Sequence, residues 1–92
     1  MTPRIIVGCM TGTSIDAIDA AAICVDGVGL ALRVEFLRGL SRPLGPLTEP
    51  LRRLARGGSM TAGEIARTSH DFALEHVALI RELIRELAAN LP

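Results

Sequence analysis

Two apolar runs, Ile5-Ile6-Val7 and Ile18 to Val25, flank a short polar stretch, Gly8 to Ala17, that holds two glycines, three hydroxyl residues and Asp16. That order constrains the start of the chain to a strand, a flexible polar tip and a second, antiparallel strand. Gly8 and Gly12 permit positive φ and close backbone approach, so successive N–H groups at the tip are able to converge on an oxyanion. Thr11, Thr13 and Ser14 add hydroxyl donors, and Asp16 and Asp19 suit a hydrated Mg2+. The same residue types also build ordinary polar turns for backbone reasons alone. On residue chemistry by itself both readings stand.

The rest of the chain reads as one more strand and two helices. Arg4 to Cys9 is the first strand and Ala17 to Val25 the second, apolar on both faces, as suits a central strand covered on both sides. Its alanines suggest that something packs very close. Asp26-Gly27-Val28-Gly29 is a turn, and Leu30 to Leu40 a third strand at the sheet edge, with Arg33 and Glu35 solvated. Residues 41–48 form a loop, and Thr48-Glu49-Pro50 opens a short helix that Gly57-Gly58 ends. Arg52, Arg53 and Arg56 on that helix form a basic cluster, for which a solvated face is a better reading than a phosphate contact. Thr61-Ala62-Gly63-Glu64 is a capping box. Ile65, Ser69, Phe72, Ala73, His76, Val77, Ile80, Leu83, Ile84 and Leu87 then follow at helical spacing, and Asn90 and Pro92 supply a stop. A helix over 62–89 is about 42 Å long at 1.5 Å per residue, long enough that its second half is expected to pack on structure beyond this sheet.

Composition excludes several classes. Ten arginines balance ten acidic residues, lysine is absent, and only two aromatic residues occur, both Phe. A neutral, aromatic-poor chain lacks the electrostatic footprint and the stacking platforms of a nucleic-acid binder, and without lysine there is no Walker-type P-loop. No run approaches the ~18–20 apolar residues of a membrane span. Only eight residues precede Cys9, too few for a lipoprotein leader. If the hairpin turns near 12–14, Cys9 lies opposite Ala17 and Ile18 and out of disulfide reach of Cys24; two buried free thiols in a reducing, cytoplasmic setting follow. His70 and His76 stand six apart, not the i, i+4 of a zinc helix. His76 falls on the apolar stripe as a hydrogen-bonded core histidine, and His70 is exposed.

Gly8, Met10, Gly12, Thr13, Ser14, Asp16, Ile18 and Asp19 match the N-terminal signature of the anhydro-N-acetylmuramic acid kinase family, usually written G-x-M-S-G-T-S-x-D-G-[IV]-D. The chain departs from it at Thr11, where serine is usual, and at Ala17, where glycine is usual; Ala17 adds a Cβ that resists positive φ and fills space near a ligand. The stretch thus resembles that family. The resemblance implies an α/β fold: a partial ribonuclease H-like lobe of the actin–hexokinase–chaperone ATPase type, with a three-stranded antiparallel meander followed by a short and a long helix. It implies ATP and Mg2+ as cofactors and phosphorylation of anhydro-N-acetylmuramic acid with opening of its 1,6-anhydro ring, in cytoplasmic cell-wall recycling.

On this resemblance Gly12, Thr13, Ser14, Ile15, Asp16, Ala17, Ile18 and Asp19 form the nucleotide-binding stretch. Gly12, Thr13 and Ser14 meet phosphate, Asp16 serves Mg2+, and Asp19 has a supporting part. Family members are several times longer, and their catalytic base, second phosphate loop and adenosine pocket fall beyond Pro92. Residues 1–92 are then a single partial domain, with a phosphate-binding hairpin over 4–25 and a helical part over 48–90, inactive alone. The long helix carries more apolar surface than three strands cover, so self-association is expected. The competing reading is a stand-alone βββα interaction module that keeps the hairpin without catalysis.

Overall fold

A computed structural model describes residues 3–89. Strands β1 (Arg4–Met10), β2 (Ala17–Asp26) and β3 (Arg33–Pro43) are followed by helices α1 (Thr48–Ala55) and α2 (Ala62–Ala89). The sheet is antiparallel in the order β1-β2-β3, so the second strand is central, as expected. Pairing runs from Arg4 opposite Val25 to Met10 opposite Asp19, and from Ala17 opposite Pro43 to Asp26 opposite Arg33. One irregularity interrupts the second ladder: Ala22 faces Arg38 while Ile23 faces Phe36, leaving Leu37 as the extra residue of a bulge.

The third strand lies three residues later than the sequence suggests. Gly29–Ala31 form a 3-10 turn with Leu30 fully exposed, and the strand continues through the expected loop to Pro43. An edge strand tolerates Pro43 because its missing N–H faces outward. Gly27 makes the preceding turn at φ +86°, where a Cβ would lie 2.6 Å from the Ala31 carbonyl oxygen. The short helix ends in a Schellman motif: the Gly58 N–H donates to the Arg53 carbonyl at 2.8 Å and the Gly57 N–H to that of Leu54 at 3.1 Å.

The core forms on one face of the sheet. Ile18, Ala20 and Ala22 alternate inward along β2 and meet Leu79 and Leu83 of α2, with Leu44 closing the end; all six are buried. The alanines let the helix approach closely, as their size suggests. The other face is largely open among the described residues, with Val25 its one buried residue on β2, which corrects the expectation of a strand enclosed on both sides. There Ile6, Ile23 and Phe36 form one cross-strand row, with Ile6 46% and Phe36 66% exposed. On β1 only Val7 packs against the core, so Cys9, paired with Ala20 rather than with Ala17 or Ile18, is an exposed free thiol and not a buried one. Cys24 is half-buried and free.

α2 spans 62–89 as the capping box and periodicity require; Asn90 and Pro92 lie outside the described residues. Its buried line differs from the expected stripe. Thr68, Leu79 and Leu83 are buried, while Ile65, Val77 and Ile84 are exposed. Apolar residues surround much of this helix, so periodicity alone does not centre its inner face. Two ion pairs do: Arg42 Nε to Glu75 Oε2 at 2.5 Å, and Arg38 to Glu86. Glu75 and Glu86 are eleven residues, close to three turns, apart and share one line of the helix. The second half of α2 therefore packs on this sheet and not only on structure beyond it. His76 is half-buried; its Nδ1 donates to the Phe72 carbonyl at 2.8 Å, and its ring sits edge-on to Phe72. His70 is exposed. No helix among the described residues is long and apolar enough to cross a membrane.

The capping box is fully formed. The Glu64 N–H donates to Thr61 Oγ1 and the Thr61 N–H to Glu64 Oε1, both at 3.1 Å. The Thr61 backbone bond first, then its side chain, then Arg53 and Arg67 hold the Glu64 carboxyl below the usual glutamate range. A depressed folded-state value stabilises above the unfolded value of about 4.3 and loses that contribution as pH falls through the folded one. Glu64→Gln keeps an acceptor but does not titrate. Its melting temperature should fall less than the parent's between neutral pH and about pH 3. Equal falls, measured by circular dichroism, would show that the cap carries no charge-dependent stability.

Candidate functional site

Residues 11–16 connect β1 to β2 and form the polar tip. The Ile15 N–H donates to the Gly12 carbonyl at 3.0 Å, closing a four-residue turn over 12–15. Among the described residues, the N–H groups of Gly12, Thr13 and Ser14 bond no acceptor. Three successive free donors on a closed turn are what an oxyanion requires of a backbone.

The conformational strain sits where the sequence did not put it. Gly8 and Gly12 are absent from the residues of positive φ; Ile15 has φ +51°. A β-branched residue in that region is a true outlier, stabilised only when its surroundings over-determine it. Three contacts do so. The Ile15 side chain packs partly buried against the core, and the Leu44 N–H donates to the Asp16 carbonyl at 2.8 Å. Arg52 of α1 donates to the Ser14 carbonyl from both Nε at 3.0 Å and Nη2 at 2.7 Å. Arg52 is therefore neither merely solvated nor aimed at an anion. The arginine cluster was its only trace in the sequence, since nothing there joins residue 52 to residue 14. Arg53 pairs with Glu64 at 3.6 Å.

The signature residues divide. Gly12, Thr13 and Ser14 are exposed on the turn, and a Cβ at Gly12 would meet nothing within 4 Å. Ser14 Oγ donates its proton to Asp16 Oδ1 at 2.9 Å, so the hydroxyl offers lone pairs rather than a donor to anything bound there. Together they present hard oxygen ligands, the donor set Mg2+ takes alongside water and phosphate. Among the described residues no group of three or more His, Cys, Asp or Glu gathers as a metal cluster. Ala17 is ordinary strand opposite Pro43, without positive φ, so its Cβ meets no backbone conflict. Ile18 is completely buried in the core, where it anchors the strand behind the tip. Asp19 is exposed on the open face between Met10 and Ser41 and makes no hydrogen bond or ion pair among the described residues.

Beneath the tip a cleft of about 360 Å3 is lined by Thr11, Gly12 and Thr13, by Leu51 and Leu54 of α1 and by Phe72 of α2. Thr11 Oγ1 is buried with no hydrogen-bond partner, and an unpaired buried hydroxyl costs about 1–3 kcal/mol. Thr11→Val keeps the shape and removes that oxygen. It should leave the melting temperature unchanged or higher, and a loss above about 1 kcal/mol on denaturant titration would show the hydroxyl to be bonded after all.

Comparison with known proteins points the same way. No protein-family model and no solved structure matches the chain. Curated anhydro-N-acetylmuramic acid kinases do match. The protein from Gloeothece citriformis is 34% identical over 70 residues, 75% of this chain and 18% of the relative. That from Trichormus variabilis is 34% identical over 73 residues, 78% of the chain and 19% of the relative. That from Synechocystis sp. is 30% identical over 82 residues, 88% of the chain and 21% of the relative. The chain spans about one fifth of the length of these relatives. By sequence the chain thus resembles the anhydro-N-acetylmuramic acid kinases over about a fifth of their length.

Proposed function

We propose that this chain is the N-terminal, phosphate-binding part of an ATP-dependent anhydro-N-acetylmuramic acid kinase, a cytoplasmic enzyme of cell-wall sugar recycling that phosphorylates its substrate while opening the 1,6-anhydro ring. One observation carries the reading: a fixed turn offers the N–H groups of Gly12, Thr13 and Ser14 with no acceptor of their own. Relatives bearing that kinase name support it. On this reading the sheet and α2 belong to a ribonuclease H-like lobe of the actin ATPase type.

The three N–H groups and the Thr13 hydroxyl bind phosphate oxygens where negative charge accumulates during phosphoryl transfer. Ser14 and Asp16 would hold Mg2+ through the hydroxyl oxygen and the carboxylate, with Asp19 in a supporting part. Bound there, the ion would neutralise phosphate charge. The buried Ile18 and the strand residue Ala17 keep the turn in register with the sheet. A base to activate the acceptor lies outside these residues, so the 92-residue chain alone should release no ADP above a matched blank.

The open apolar row of Ile6, Ile23 and Phe36 supports association, either with the remainder of a longer protein or between copies. A stand-alone interaction module would use the same surface. Sedimentation that finds a compact monomer at high concentration would count against association.

The decisive experiment is a chimera in which this chain replaces the matching fifth of a curated relative, assayed for ATP turnover with anhydro-N-acetylmuramic acid. Gly12→Val should lower kcat on the order of a hundredfold, the scale of losing one preorganised donor. It should do so without unfolding, because the position faces open space. Asp16→Asn should impair Mg2+-dependent turnover and leave the fold intact. Near-normal turnover and ATP affinity in both variants would make the hairpin an ordinary turn.

A further inference from the structure

The Ser14–Ile15 peptide is held at both ends. Its carbonyl accepts two N–H donors from Arg52, at 3.0 and 2.7 Å, and its N–H donates to the Gly12 carbonyl at 3.0 Å. Rotating that peptide plane would return Ile15 from φ +51° to the ordinary negative region and relieve its strain. It would also turn the Ser14 carbonyl away from Arg52 and break the turn that carries the three free N–H groups. The strained arrangement is therefore the one that binds an oxyanion, and Arg52, reaching across 38 residues from α1, is the charged group that selects it. Both prongs of its guanidinium converge on one carbonyl oxygen, a geometry that a lysine ammonium does not reproduce.

We propose that Arg52 is a positioning residue for the phosphate-binding tip. It acts through the Ser14–Ile15 peptide and not by touching phosphate. The functional half of this inference rests on the proposed phosphate-binding reading; the conformational half stands without it. Loss of Arg52 lowers the fraction of molecules with a competent tip, and apparent affinity falls in proportion to that fraction.

The test uses the 92-residue chain, isotope-labelled for NMR, with MgATP as the probe. Arg52→Met keeps the aliphatic stem and removes the donors. In the ligand-free protein, backbone carbon shifts and couplings at Ile15 should report a move to negative φ, with core signals of Leu79 and Leu83 unchanged. MgATP-induced shifts at Gly12, Thr13 and Ser14 should require about tenfold more ligand if a tenth of the tips remain competent. Arg52→Lys should restore only part of this response. The discriminating measurement is Ile15→Gly, since glycine takes positive φ without strain. In that background Arg52→Met should weaken the MgATP response much less, whereas an arginine acting as a nearby positive charge would give equal losses in both backgrounds.

Equal losses, or an Ile15 that keeps its positive φ in Arg52→Met, would overturn the proposal. A parent chain whose tip ignores MgATP while Arg52→Met still flips the peptide would uphold Arg52 as the holder of the tip. That result would overturn the phosphate-binding reading instead.

Discussion

The fit of α2 against the alanine row of β2 is the contact on which everything else in this small structure depends. Ile18, Ala20 and Ala22 present a shallow surface, and Leu79 and Leu83 fill it. Full burial of a side chain such as Ile18, Leu79 or Leu83 stabilises by about 1.5–3 kcal/mol each, so a handful of residues carries most of the apolar driving force. Because the core is this narrow, the ion pairs of Arg42 with Glu75 and Arg38 with Glu86 set the helix's rotation on the sheet rather than add bulk stability. Ile18 also stands two residues after Asp16. The strand that anchors the core therefore starts directly behind the polar tip, and a firm core makes a firm tip.

The tip is held by more groups than a hairpin turn needs. A flexible polar loop would meet an anion by closing around it and would lose conformational freedom in doing so. Here the ordering is done by the fold: Leu44 fixes the Asp16 carbonyl, Arg52 fixes that of Ser14, and Ile15 is wedged against the core. Preorganised donors bind more tightly because little remains to be ordered on contact. A strained isoleucine at the centre of such a turn is consistent with a surface shaped for a ligand and not only for folding.

Much of this was legible in the sequence, for identifiable reasons. The hairpin was marked by two apolar runs around a glycine-rich tip, and α2 by a capping box that placed its start within one residue. Three features were not legible. The start of β3 was hidden because Leu30 and Leu32 look like strand residues, while Gly29 takes a positive φ that turns the chain first. The inner face of α2 was obscured by apolar residues on several sides and was decided by partners on β3. The strain at Ile15 was invisible because glycine at 8 and 12 draws attention to itself, and because the arginine that supports the strained residue belongs to a distant helix. Local pattern reveals elements; contacts between elements decide where the chain is bent.

Every cationic tie described here, at Arg38, Arg42, Arg52 and Arg53, is a guanidinium, and the sequence contains no lysine. Arginine stays charged through the whole physiological range, and the bond to Glu75 raises the pKa of Arg42 still further. A different consequence concerns covalent chemistry. Lysine acetylation and ubiquitination act on a side-chain amine, as do the common amine-directed cross-linkers, and these 92 residues offer none. The contacts that join sheet, tip and helices are thus closed to the commonest form of charge-removing modification. A cross-linking map of this region would need carboxylate- or arginine-directed reagents, or the exposed thiol of Cys9.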